Sequence, residues 1–598
     1  MDSTVLQSYQ TKKDQSQAKL SAINKQSELF IILRPLTFMA MVALSLVYSF
    51  LSDNPIYLVG IGILAVIFVI MLIKHRRIKA QVAYWEALVQ INEQAISRLE
   101  GSWTVFPNTG ERFIDLEHPY SSDLNIFGKA SLFQYINSAT TLVGEERLAQ
   151  MLNSPAPLDE IKQRQEALGE LSSLFDWRQH FQAMGMLDYL KKDGDAKALL
   201  DWAEEKPSIN KPYILWVRFM PLLTIALALL GYWGVLPSFL WSVPLAIQIA
   251  VIVVTGKDSQ EEFTKTGNMV GALKRYSTLL TCIEEEEFRG GLLNDLQKKL
   301  VQKGVVPSQQ IKQLFNIVEM SDLRYSSMHP IINIALLWDL QTLIRMQNWR
   351  VSSGCHLRAW VRSLAEFEAL SSLAGLMYDH PHWAVAEVTD GEASLKAEDL
   401  GHPLIREENR VSNNVELSSP GAVLLITGSN MSGKSTLLRT VGINIVLACA
   451  GAPVCATMFK CAWLKVYSSI HINDNLEKNI SNFYAELLRI KIIMDAAKIG
   501  EPMIFLIDEI FKGTNSKDRI LGAQSVVKNL HRLRAIGLVS THDLELSRLE
   551  QGLPLVKNYH FTDQIKGNEI AFDYQLKPGV SQSTNALALM KIIGIEVD

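Results

Sequence analysis

The chain lacks any C-x-x-C pair, and its five cysteines are Cys282, Cys355, Cys449, Cys455 and Cys461. The even spacing of the last three suits neither a zinc knuckle nor a redox dithiol, so reduced thiols are the expectation. An excess of either charge is also missing, since 58 Lys plus Arg face 62 Asp plus Glu for a formal charge of -4. A non-specific nucleic-acid coat needs a basic surplus, and none is present. The N-terminal 29 residues are polar and carry no cleavage site ahead of a mature domain. A secretory signal is not the better reading of that pattern, and the first apolar segment is expected to stay.

What is abundant is apolar sequence. Hydrophobic residues make up 48% of the chain, and the mean hydropathy is +0.10 despite 20% charged residues. The excess lies in four charge-free runs, 36–51, 56–73, 219–235 and 239–254. Ser52, Asp53, Asn54 and Pro55 part the first two, and Leu236, Pro237 and Ser238 part the second two. Each run is slightly short of the roughly 20 residues that cross a bilayer. The second run nevertheless holds thirteen Ile, Leu, Val or Phe residues, worth about 4 to 8 kcal/mol of insertion free energy. Two transmembrane helical hairpins, hence four transmembrane helices in the lipid bilayer, are the expectation.

Orientation follows from the flanks. Lys19, Lys25 and Arg34 precede the first hairpin, Lys74, Arg76 and Arg77 follow it, and Lys211, Arg218 and Lys257 bracket the second. Neither tip carries Lys or Arg. The positive-inside rule then predicts a multi-pass protein of the cell membrane, with the N-terminus and everything after Lys257 cytoplasmic.

The chemistry lies near the C-terminal end. A strand-like run, 422–427, leads into Gly428-Ser429-Asn430-Met431-Ser432-Gly433-Lys434-Ser435-Thr436 and then a helix-like stretch. This is G-x-x-x-x-G-K-[ST] in strand, loop, helix context, where backbone N–H groups and a helix N-terminus cradle phosphate. Lys434 would reach the β and γ phosphates of ATP, and Ser435 would ligate Mg2+. A second apolar strand, 503–507, ends in Asp508-Glu509. Asp508 suits a Mg2+ ligand and Glu509 a base for the attacking water. A third strand, 537–541, delivers His542 as a sensor of the γ phosphate. The pattern is that of a P-loop ATPase of the ABC type. An ABC transporter would carry L-S-G-G-Q between Lys434 and Asp508, and this chain does not.

At these residues the sequence resembles the MutS mismatch-repair ATPases. The family's T-G-P-N-M-G-G-K-S-T matches Thr427 to Thr436 except at Ser429 and Ser432. Its D-D-L and S-T-F-M-x-E resemble Asp474-Asn-Leu476 and Ser481-Asn-Phe483-Tyr-Ala-Glu486. Its D-E-L-G-R-G-T-S resembles the run from Asp508 to Asn515, and its A-T-H resembles Ser540-Thr541-His542. The tail from Tyr574 through Gly579 to Ser583 is similar to L-x-x-G-x-x-x-x-S. Upstream, Gly401-His402-Pro403 looks like the entry to the ATPase domain, and Thr140-Thr-Leu-Val-Gly144 with Arg147-Leu148 looks like the start of a helical core.

The resemblance implies an α/β P-loop ATPase domain preceded by an all-α MutS-like core and lever. The expected division is a cytoplasmic segment 1–29, hairpin 30–77, linker and start of core 78–212, hairpin 213–256, rest of core and lever 257–395, and ATPase domain 396–598. It also implies a homodimer with composite ATP sites, Ser481 of one copy reaching the nucleotide of the other. DNA, mismatched or branched, enters as a partner on this resemblance alone. The family wedges the Phe of an F-x-E motif into DNA at a mismatch, and none of the 22 Phe residues here has Glu two positions on. Two readings therefore stand: a membrane-anchored, DNA-associated ATPase, or a membrane mechanochemical ATPase or transport accessory without DNA recognition.

Overall fold

The computed structural model describes residues 3–51, 54–187, 196–205, 211–267, 269–301, 304–429, 432–470, 482–511, 515–566 and 569–581. It opens with two long antiparallel helices, α1 (Ser3–Phe50) and α2 (Ile56–Glu100). Asn54 starts the second by accepting from the Ile56 N–H at 3.0 Å, and Gly101, at φ 78°, ends it by donating to the Arg98 carbonyl. The far halves of the pair expose Ile32, Met39, Phe50, Val59 and Ile63. The near halves form a polar stalk whose buried side, Ala87, Leu88, Ile91 and Ala95, lies against the body. An ion pair from Lys12 to Asp176 borders that contact, and one from Lys13 to Glu93 joins the two helices of the stalk.

The body is helical. Its main pieces are α3 (Leu142–Asn153), α4 (Leu158–Ser173), α5 (Phe175–Met186), α6 (Lys211–Tyr232), α7 (Ser242–Gly267) and α8 (Trp338–Asp379). With 42 residues, α8 is about 63 Å long at 1.5 Å per residue. Its far end packs Leu340 and Ile344 against Val217, Met220 and Val251 of α6 and α7. Its near half is buried almost all round, packed against α3 and α4.

The expectation of four transmembrane helices is corrected here. Among the described residues two helices, α1 and α2, are long and apolar enough to cross a membrane. The apolar part of α6, Trp216–Tyr232, falls in the shorter class, about 25 Å against a hydrocarbon core of about 30 Å. The α7 segment bends by 52° between Lys257 and Ser259 and becomes a third span only if the bent pair counts as one. The pair is tied together by Gln248, which is buried and donates to the Thr224 hydroxyl at 2.8 Å.

The C-terminal part is a layered α/β unit. Its main sheet comprises β1 (Val423–Thr427), β2 (Lys465–Ser469), β3 (Met503–Asp508), β4 (Ile536–Thr541), β5 (Val556–Lys566) and β6 (Glu569–Pro578), in the order β6-β5-β1-β4-β3-β2. All neighbours are parallel except β5 and β6, which form an antiparallel hairpin at one edge. Strands buried on both faces read as continuous apolar runs, which is why 423–427 and 503–507 carry no alternation. One face buries Leu424, Ile426 and Leu506 against α9 (Lys434–Ala450) and the helical body. The other buries Val423, Leu425, Phe505 and Ile507 under α10 (Asn482–Ile499) and α11 (Ser516–Arg532). A second sheet of four short strands, 387–389, 395–400, 413–417 and 458–462, lies beside it.

The body is bolted to this unit. Asp123 accepts from the Ser468 hydroxyl at 2.7 Å and the Ile470 N–H at 3.2 Å, and its backbone carbonyl accepts from Arg439 at 3.0 Å. Arg164 reaches the Ala450 carbonyl at the far end of α9. A Cβ on Gly442 would stand 2.7 Å from Leu124, so that glycine is what lets α9 approach the body so closely.

Candidate active site

The site forms where β1, β3 and β4 end, level with one another. Thr427 pairs with Thr541 and Asp508 with Ser540, so the residues that follow each strand converge at one edge. In parallel α/β sheets this carboxyl edge is where ligands are held. Gly428 and Gly433, at φ 151° and 104°, bend the loop between β1 and α9, a conformation that favours glycine. Gly433 is also the N-cap of α9 and lies under the Tyr574 ring, whose edge is 3.2 Å from where a Cβ would be.

Lys434 is buried and folds back over the loop. Its Nζ donates to the carbonyls of Gly428 at 2.9 Å and Ser429 at 2.8 Å, and it stands 3.3 Å from His542 Nε2. The same His542 nitrogen is 2.8 Å from a Glu509 carboxylate oxygen. Ser435 donates to one oxygen of Asp508 at 2.5 Å, and Ser540 donates to the other. Thus Lys434, Ser435, Asp508, Glu509 and His542, drawn from separate stretches of sequence, form one connected polar cluster. Thr436 lies two residues into α9 from Lys434, on the wall of the adjoining cavity. Ser429 and Ser432 present buried hydroxyls that find no partner among the described residues. Asn430, Met431 and Ser481 lie outside the described residues.

Beside the cluster is a cavity of about 520 Å³. One wall is Gly433 to Leu437; the opposite wall is His402, Ile405, Arg410 and Asn413, closed by Phe561 and Tyr574. The pattern of motifs did not predict this second wall. Tyr574 is held at φ 53°, with its carbonyl accepting from Asn413 at 3.0 Å while Asn413 Oδ1 takes the Leu576 N–H at 2.7 Å. Burial pushes the His402 imidazole down to about 4, so it presents a neutral ring to the cavity.

The arrangement fits a magnesium nucleotide. A serine hydroxyl on a carboxylate is the donor pair that takes a hard cation, and the buried serine hydroxyls of the loop and the lysine amine suit phosphate oxygens. The adjoining cavity is large enough for a nucleoside. Outside the cluster, Glu486 accepts from the Phe511 N–H at 2.7 Å and so ties α10 to the turn after β3. Arg519 holds Asp543 through two 2.8 Å bonds and fixes the segment after His542.

Comparison with known proteins finds relatives for this part of the chain. Residues 424–597 match the family model described as MutS domain V. A DNA mismatch repair protein MutS from Natronomonas pharaonis is 29% identical over 238 residues, which is 39% of this chain and 27% of that protein. The MutS of Aquifex pyrophilus is 31% identical over 237 residues, again 39% and 27%. That of Carboxydothermus hydrogenoformans is 30% identical over 267 residues, 44% of this chain and 31% of the relative. The chain thus spans less than a third of the length of these curated relatives.

Proposed function

We propose that this chain, which is related to the MutS family through its C-terminal third, is a membrane-anchored ATPase that works as a homodimer. The observation that carries the reading is the single cluster of Lys434, Ser435, Asp508, Glu509 and His542 at the carboxyl edge of the sheet. Lys434, released from the Gly428 and Ser429 carbonyls, would hold the β and γ phosphates together with the loop N–H groups. Ser435 and Asp508 would hold Mg2+, which when bound neutralises charge on phosphate oxygens. Glu509 would take the proton of the attacking water, and His542, already bonded to it, would keep its carboxylate oriented. Gly428 to Thr436 supply the cradle, and Ser481 of the partner copy would complete it. The bilayer would be entered by α1 and α2, with the ATPase domain on the cytoplasmic side.

The relatives are named DNA mismatch repair proteins, and on that ground mismatched or branched DNA is the first candidate for the second ligand. A specific feature favours the other reading, a mechanochemical role at the membrane. The single helix α8 runs from the nucleotide domain to the apolar pair α6 and α7, so motion of the domain would be delivered to a lipid-compatible element.

One experiment addresses both. ATP turnover by the detergent-purified full chain is measured at several protein concentrations, alone and with homoduplex, mismatched and branched DNA at low and physiological salt. Turnover per chain that rises with concentration and disappears in Lys434→Ala is expected, and unchanged turnover in that variant sinks the catalytic assignment. Binding and stimulation by one DNA form, weakening with salt, support the first reading; no binding at low salt leaves the mechanochemical one.

A further inference from the structure

The stalk of the N-terminal hairpin ends inside the molecule, at the joint between α8 and the nucleotide domain. Tyr9 of α1 is 3% exposed, and its hydroxyl donates to the Asp379 carboxylate at 2.6 Å. Arg98, from the last turn of α2, stands 3.4 Å from the other Asp379 oxygen. Asp379 is the last residue of α8. The Tyr9 ring sits edge-on to Phe175 and Tyr378, which are stacked on each other at 4.7 Å. Both helices of the hairpin are therefore fastened to one carboxylate at the end of α8.

From that carboxylate a chain of contacts runs to the candidate nucleotide cavity. The next residue, His380, is bonded to the Tyr135 hydroxyl at 2.8 Å and lies flat on Trp383, with ring centroids 4.1 Å apart and planes 7° apart. Burial pushes the His380 imidazole down to about 4, which keeps it a neutral acceptor for that hydroxyl. Trp383 also meets the guanidinium of Arg410, 5.6 Å from the ring centroid. Arg410 in turn lines the cavity beside Lys434. A second contact shortens the path: Gly101, which ends α2, is covered by the Arg406 side chain, whose Nε occupies the space a Cβ would need. The cavity wall and the root of the hairpin thus belong to one chain of contacts, along which a shift of Arg410 would be passed to Trp383 and His380.

We propose that this joint couples nucleotide occupancy to the docking of the N-terminal hairpin on Asp379. The proposal rests on the nucleotide reading of the cavity. Tyr9 and Arg98 act as positioning residues, holding the end of α8 in the register that sets Arg410 at the cavity. Coupling of this kind is reciprocal: whatever nucleotide does to the hairpin, loosening the hairpin does to nucleotide affinity.

The test uses the full chain in detergent with a non-hydrolysable ATP analogue. Its affinity is measured for the wild type, for Tyr9→Phe, which removes a single hydroxyl from Asp379, and for Lys13→Ala, which breaks the stalk's ion pair with Glu93 away from the joint. Amide exchange of residues 5–16 is followed with and without the analogue. Expected are an exchange rate in 5–16 that changes on binding, an affinity shift of about fivefold or more in Tyr9→Phe, the lower end of typical coupling, and none in Lys13→Ala. A smaller shift in Tyr9→Phe, an equal shift in Lys13→Ala, or unchanged exchange in a protein that binds the analogue overturns the coupling alone. A wild-type chain that does not bind the analogue overturns the nucleotide reading and the coupling with it.

Discussion

Glu509 has φ 54° and Phe511 φ 65°, so two non-glycine residues in a row of three sit in the left-handed region just after β3. Such residues cost roughly 1 kcal/mol or more each, and here the cost is offset by two bonds: the Glu509 N–H donates to the Ser540 carbonyl at 3.0 Å and the Phe511 N–H to Glu486. The turn aims the Glu509 carboxylate at His542 instead of along the strand. Glu509→Gln keeps the shape and the contact with His542 while removing the base. Turnover is expected to fall about 10²–10⁴-fold with analogue affinity within about threefold of wild type. Equal losses in turnover and affinity, measured by single-turnover hydrolysis and by titration, would show that Glu509 holds nucleotide and does not act on water. The order of the five polar residues along the chain was legible because each follows an apolar strand and chemistry of this kind sits at strand ends. Tyr574 and Arg410 were not legible as cavity walls, since their approach depends on the β5–β6 hairpin and on the pairing of Asn413 with Leu576, and neither leaves a local pattern.

At the scale of the element, α3 shows why a stretch singled out in the sequence matters. Thr140-Thr-Leu-Val-Gly144 forms its N-terminus: Thr141 is the N-cap, accepting from the Gly144 N–H at 3.1 Å. The N–H groups and hydroxyls of both Thr140 and Thr141 all donate to Glu368 of α8, which is 2% exposed. Gly144 is required by the same carboxylate, because a Cβ there would collide with a Glu368 oxygen. The threonines and the glycine were readable; the glutamate was not, since its position in a 42-residue helix looks like any solvated charge until the helix is buried. Burial pushes the Glu368 carboxyl up, and the four bonds pull it down. Removing it strands buried donors at the root of α3, so Glu368→Ala is expected to destabilise the protein by about 3 kcal/mol. Glu368→Gln, which keeps an acceptor oxygen, should lose less. Thermal unfolding followed by tryptophan fluorescence checks the order; equal midpoints for Glu368→Ala and wild type would mean that water reaches the threonines.

At the scale of the whole molecule, the apolar excess read from composition divides into two kinds that the sequence could not tell apart. The first pair of runs continues as polar helix well past its apolar limit, so α1 and α2 are a stalk with an exposed apolar end. The second pair is shorter, bent, and packed on the end of α8. Run length and charge are local quantities, whereas burial against α8 is a tertiary one, and only the latter separates them. The difference predicts a topology with an internal control. Cys355 is exposed on α8, and the other four cysteines are buried. If α1 and α2 cross the bilayer with the body inside, a membrane-impermeant thiol reagent leaves Cys355 unlabelled in intact cells and labels it after permeabilisation. Asn54→Cys, at the exposed tip of the hairpin, adds a thiol that reacts in intact cells, while Gly234→Cys, at the tip between α6 and α7, reacts there only if the second pair also crosses. Labelling of Cys355 in intact cells inverts the orientation, and an Asn54→Cys thiol that reacts only after permeabilisation removes the span. Labelling of the Asn54→Cys variant in intact cells, with the Gly234→Cys variant protected, would mean that the chain enters the membrane once, through α1 and α2, and that the tip between α6 and α7 stays on the same side as Cys355.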